Sequence, residues 1–215
     1  MKKITILLLL VAVNYSLLLA QTTQVKYPTP EFSNEIYFFN KESSQVVRLE
    51  KGYSKQETNS KMGGMGGTSL SYSIEGSKSD VRIPYGNLSF IFYTGEAPSN
   101  SEASDSAMRA NGMDPSAMGD PMAMMNDPSR TTALYSMSAE KGNRYIITMA
   151  YSGMKILGKG KKESTKYTMS IKNVKRGYYE MVVDKPLPRG EYAFVVQDMT
   201  GGMDNKSKLF AFGVE

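Results

Sequence analysis

Six of the sixteen methionines fall between Met108 and Met125, and the densest group is Met118, Met122, Met124 and Met125. Thioethers are soft donors that suit Cu(I) or Ag(I), so Met122-Ala123-Met124-Met125 with Met118 is a candidate site giving three sulfurs to one copper or silver ion. The same residues also read as a low-complexity loop, in which methionine is a flexible apolar side chain suited to adaptable contacts or to absorbing oxidants. Met62 and Met65 sit in a second, glycine-rich loop.

Carboxylates are the other candidate chemistry. Glu180, Asp184 and Glu191 border strand-like segments and could supply a glycan-active acid pair, which needs two carboxyl groups facing each other across a sugar. Asp198, Asp204 and Asn205 share one loop, and Asp114, Asp120 and Asp127 another, without the alternating aspartates of a preformed calcium cradle. Ser106, in Asp105-Ser106-Ala107, resembles the Asp-Ser/Thr-apolar acceptor of O-glycosylation in Bacteroidota.

The chain has no histidine, cysteine or tryptophan. That removes Ser-His-Asp and Cys-His relays, histidine-ligated zinc or iron, disulfides and a lipidated N-terminal cysteine. Carboxylate pairs, a Ser/Lys dyad and an oxygen-ligated calcium remain chemically open. On this deficit the chain is expected to be non-enzymatic, with no cofactor apart from the copper reading.

Stepping from Lys2 and Lys3 through the apolar run Ile4 to Val13 to Ala20, residues 1–20 have the layout of a secretory signal peptide, with Asn14 and Ser16 interrupting what would otherwise be a membrane anchor. Cleavage leaves 195 of the 215 residues, no transmembrane segment, and a net charge reduced from +5 to +3 by the loss of the two lysines. The surplus is spread along the chain and forms no basic stripe, which argues against nucleic acid. Lys159, Lys161 and Lys162, flanked by Gly158 and Gly160, read as a solvated hairpin tip.

The body reads as all-β. Leu70, Tyr72 and Ile74 alternate with Ser69, Ser71 and Ser73; Tyr145, Ile147, Met149 and Tyr151 alternate with Arg144, Ile146, Thr148 and Ala150. Tyr167, Met169 and Ile171, and then Tyr179, Met181 and Val183, follow the same period of two. Further strands are expected at Glu35 to Phe39, Val46 to Lys51, Asp80 to Ile83, Leu88 to Tyr93, Ala133 to Ala139, Glu191 to Gln197 and Leu209 to Val214. Turns are expected at Tyr85-Gly86-Asn87, Lys141-Gly142-Asn143 and Lys175-Arg176-Gly177, and no stretch has a helical period. The expected fold is an antiparallel β-sandwich of immunoglobulin-like or Greek-key type. Its expected parts are a β-rich half over 21–94, a disordered Met/Ser/Asp-rich loop over 95–131 and a second half over 132–215 packed against the first.

Pro186-Leu187-Pro188-Arg189-Gly190-Glu191-Tyr192 places Gly190 two residues before Tyr192 at the start of a strand. This is similar to a tyrosine corner, in which the phenol bonds backbone just upstream, and gives both residues a structural role. The strand from Tyr192 should pair with Leu209 to Val214. Together with the closing Phe210-Ala211-Phe212-Gly213-Val214, with Ala133-Leu134-Tyr135, Arg144 and Ser79-Asp80-Val81-Arg82, this ending resembles secreted β-sandwich proteins of Bacteroidota. The resemblance implies origin and fold and transfers no catalytic residue. The expectation is an accessory or binding protein of the periplasm or outer-membrane surface of a Gram-negative bacterium, contacting envelope proteins or glycans.

Overall fold

Alternating apolar residues bounded by Gly, Asn and Pro turns do fold as short strands. A computed structural model describes residues 25–60, 67–95, 109–112, 127–151, 162–175, 177–197 and 206–215. In chain order its elements are β1 (Glu35–Asn40), β2 (Gln45–Arg48), β3 (Glu50–Lys55), β4 (Glu57–Ser60), β5 (Thr68–Glu75), β6 (Arg82–Ile83) and β7 (Ser89–Tyr93). These are followed by α1 (Pro128–Thr131), β8 (Thr132–Glu140), β9 (Asn143–Tyr151), β10 (Lys166–Tyr167), β11 (Met169–Lys175), β12 (Tyr178–Val183), β13 (Gly190–Val196) and β14 (Lys206–Val214).

Two sheets pack as a sandwich. One has the order β11-β12-β7-β1-β2, and the other β3-β14-β13-β8-β9-β5-β4, with β10 on β8 and β6 on β14. Pairing is antiparallel except for the short parallel contact of β6 with β14. The larger sheet curls until its strands β3 and β5 meet: Ser73 N–H donates to Ser54 Oγ at 3.0 Å, and Gly52 lies directly under Ile74. A side chain at Gly52 would start 2.6 Å from Ile74 Cδ1, so the close approach uses the missing Cβ.

Sandwich and curl give two cores, and β13 and β14 serve both. Tyr192, Phe194, Val196, Phe210, Phe212 and Val214 face the other sheet, where they meet Ile36, Phe38, Phe90, Phe92, Met181 and Val183. The alternate residues Ala193, Val195, Leu209 and Ala211 face into the curl, against Tyr72 and Ile146. Large side chains fill the wide layer and small ones the narrow interior of the curl, as the period of two dictates. Phe90 sits at the centre, with its ring centroid 4.9 Å from that of Phe194 and 5.1 Å from that of Phe212.

Along β8 and β9 the larger sheet splits. The two strands pair only from Ser138 with Tyr145 to Glu140 with Asn143, across Lys141 and Gly142, both of which have positive φ (52° and 83°) as a two-residue hairpin turn requires. Beyond that the chain from Glu163 to Tyr167 enters the gap. Ser164 N–H donates to the Ile147 carbonyl, Ile147 N–H to Ser164 Oγ, and Ser136 N–H to the Thr165 carbonyl.

Several expectations need correction. Val46 to Lys51 is not one strand: it changes sheets at buried Leu49, with β2 on one side and β3 on the other, and closes a flank of the sandwich. Strand β4 is polar on both faces and exposed, so no alternation announced it. The end of the expected loop is the helix α1, capped by Asp127 accepting Ser129 N–H and started by Pro128. On β9 the fully buried face is that of Arg144 and Ile146, while Met149 and Tyr151 are 40% and 61% exposed. The two sequence halves are interleaved rather than packed side by side, because each sheet takes strands from both.

Removing the ring of Phe90 empties the point where both sheets meet. Phe90→Ala should destabilise the fold by about 3–5 kcal/mol in urea unfolding; a loss below about 1 kcal/mol would mean that the sheets are not held by this layer.

Candidate binding surface

Outside the sandwich core, the five-stranded sheet has a second face that is also covered. Because Phe90 and Phe92 of β7 and Met181 and Val183 of β12 point inward, Ile91, Tyr93, Tyr178 and Glu180 point outward, beside Phe39 of β1. The segment 25–33 crosses this face as a strap. The Tyr27 ring stacks on Phe39 with centroids 5.5 Å apart and meets Tyr178 edge-on at 5.9 Å. Tyr178 Oη donates to the Pro28 carbonyl at 2.7 Å.

Beneath the strap lies Glu180, 4% exposed. Its Oε2 accepts Tyr27 Oη at 2.8 Å, and its Oε1 accepts Ser89 Oγ at 2.9 Å and Lys41 Nζ at 2.6 Å. Burial by itself raises a carboxyl group's pKa; the bonds from Lys41, Tyr27 and Ser89 outweigh it and hold Glu180 below the ordinary 4.5. Burial, reinforced by the Glu180 bond and charge, pushes Tyr27 up to about 12. The carboxylate is therefore ionised and the phenol neutral across the physiological range.

At the corner where β2 passes into β3, Glu35 is 3% exposed and is gripped by Arg48 Nε and Nη2 and by Lys51 Nζ at 3.0 Å. Burial raises its pKa, and the two cations more than reverse the shift. Each cation also lies over an exposed ring: Arg48 over Phe32 at 4.4 Å and Lys51 over Tyr53 at 5.6 Å.

A third cluster closes one end of the curl. Arg144 is wholly buried and bonds Glu50 through both Nη atoms, the Gly76 carbonyl through Nε and the Glu75 carbonyl through Nη2. Glu191 is 3.7 Å from Arg144 Nη1 and also accepts Arg82 Nη1 and Ser79 N–H. Arg82 lies flat over Gly213, in the space a side chain there would need, and reaches Glu215.

The structure does not bring the three expected carboxylates together. Glu180 points away from the sandwich core on one sheet and Glu191 points away from it on the other. Asp184 is exposed and accepts Ser170 Oγ at 2.8 Å. Tyr192 Oη donates to the Pro188 carbonyl at 2.6 Å, with Gly190 packed against its ring, and β13 pairs with β14 from Gly190–Val214 to Val196–Lys208. Met118, Met122, Met124, Met125, Met62, Met65, Ser106, Asp198, Asp204 and Asn205 lie outside the described residues, as does the leader. Among the described residues, no group of three or more acidic side chains could hold a metal ion, and no helix is long and apolar enough to cross a membrane.

Comparison of the chain with protein-family models, with curated proteins and with solved structures finds no match in any of the three. The site therefore rests on its own geometry.

Sequence reasoning did not single out Tyr27, Glu35, Lys41 or Glu50. One signal was available: Glu35 opens the apolar run Ile36-Tyr37-Phe38-Phe39 and Arg144 shares a face with Ile146, and a charge on an apolar face is a buried ion pair or a break in the strand.

Glu35 and Glu180 both have lowered folded values, so their stabilisation is complete above about pH 4.5 and is lost as pH falls through those values. Acid titration of unfolding free energy should show this decline, and Glu180→Gln should shrink it while weakening the fold at neutral pH. An unchanged acid limb in Glu180→Gln would contradict the assignment.

Proposed function

We propose that this chain is an exported, non-enzymatic binding or accessory protein of the bacterial envelope, working in the periplasm or at the outer-membrane surface through contacts with envelope proteins or glycans. The observation that carries the reading is how the side chains are allocated. The buried charges Glu35, Glu180 and Arg144, and the partly exposed Glu191, are all engaged by internal partners, and these three carboxylates do not face one another. Aromatic and sulfur-bearing side chains stand outside instead: Phe32 and Tyr53 at the β2–β3 corner, Tyr85, and Met149 with Tyr151 on one face of β9. Exposed rings of this kind supply contact area at small entropic cost and stack on sugar or peptide surfaces. The leader-like residues 1–20 and the resemblance to secreted Bacteroidota proteins support an envelope address.

The test is binding of the purified mature chain to envelope fractions and to a glycan array. Tyr53→Ala or the pair Met149→Ala and Tyr151→Ala should lower binding on the order of tenfold while leaving the circular dichroism unchanged. Binding indifferent to both changes, or turnover of a glycan, would contradict the reading.

A further inference from the structure

The strap over the five-stranded sheet is held almost wholly by side chains. Among the described residues, 25–33 make no backbone-to-backbone hydrogen bond; the first is at the root, Asn34 N–H to the Tyr93 carbonyl at 2.6 Å. What fixes the strap is the Tyr27 ring between Phe39 and Tyr178, the Tyr27 hydroxyl on Glu180, the Tyr178 hydroxyl on the Pro28 carbonyl and, near the root, the Tyr37 hydroxyl on the N–H and carbonyl of Phe32, whose ring lies under Arg48. Its two ends are loosely covered, with Val25 37% and Phe32 41% exposed.

We propose that the strap is exchangeable between molecules: the slot formed by Phe39, Tyr178 and Glu180 accepts residues 25–30 of a second copy of this chain, giving a dimer in which each strap lies across the other molecule's sheet. The slot fits an occupant with a phenol donor. If it is emptied, Glu180 loses the hydroxyl on Oε2, Tyr178 loses its acceptor, and the Phe39 and Tyr178 rings that Tyr27 covers are opened to water. The segment Val25-Lys26-Tyr27-Pro28 is the one shape the structure shows to fit, and a second copy carries it unchanged. Exchange breaks and remakes the same contacts, so the balance depends on the hinge and on concentration.

At the hinge stands Asn34, with φ of 57°. Folding the strap back onto its own sheet needs this left-handed bend, which disfavours any residue but glycine, with asparagine the mildest exception. An extended hinge relieves the bend and sends the strap outward, towards another molecule. The inference concerns the strap alone and stands whether or not the exposed tyrosines bind an envelope partner.

Size-exclusion chromatography with light scattering of the full mature chain, over a concentration series, tests it. Asn34→Pro and Asn34→Val both disfavour the left-handed bend and should raise the dimer association constant on the order of tenfold, since two hinges are relieved per dimer. Asn34→Gly, which accepts the bend without strain, should lower it. Adding Tyr27→Ala to Asn34→Val should return the protein to monomer. Asn34→Val keeps the test decisive if Asn34→Pro fails to fold: a folded Asn34→Val that stays monomeric across the series, or a dimer that survives Tyr27→Ala, overturns the proposal.

Discussion

Two adjacent strands, β13 and β14, have no solvent face, and the rest of the molecule is arranged to cover them. Their aromatic residues need a second sheet, which β1, β7 and β12 supply. Their small residues need a cover on the opposite side, which the larger sheet provides by curling over itself. Each ring so buried contributes on the order of 1.5–3 kcal/mol, and the contacts among Phe90, Phe194 and Phe212 add to that. A chain without disulfides can be held by such a layer, since it is buried on both sides along most of its length.

Curling leaves ends and corners, and there the chain uses charge. Arg144 draws together β3, β5, β9 and β13 at one end of the curl, and Glu35 clamps the corner where β2 becomes β3. In each cluster one charge, Glu35 or Arg144, is withdrawn from water while its partners Arg48, Lys51 and Glu50 stay partly exposed, so removing those partners would leave a stranded buried charge, and their value lies in fixing register as much as in attraction. Glu180 differs in that part of its cover is a segment attached by side chains. The buried charges are engaged inside the fold, and the exposed rings stand at its surface.

Much of this fold was legible in the sequence because alternation survives wherever one face is buried. Tyr179-Met181-Val183 and Tyr167-Met169-Ile171 pack against the sandwich core as their spacing predicts, and Lys141-Gly142 turns as a hairpin. Legibility failed where alternation carries no information. Nothing in Val46 to Lys51 marks a change of sheet at Leu49, β4 is polar on both faces, and four residues of α1 are too few for a helical period, although Asp127-Pro128 is a capping pair. The candidate site was hardest to see. The burial of Glu180 depends on Tyr27, 153 positions away, and the Arg144–Glu50 pair spans 94; local pattern cannot register contacts at that separation.

Native-state hydrogen exchange tests the central claim most directly. If β13 and β14 are the layer on which both cores depend, the amides of Ala193, Phe194, Val195, Phe210 and Ala211 should exchange only through global unfolding, with opening free energies equal to the stability measured by denaturant. Faster exchange there than in β12 or β9, through local opening that leaves the other sheet protected, would contradict the account.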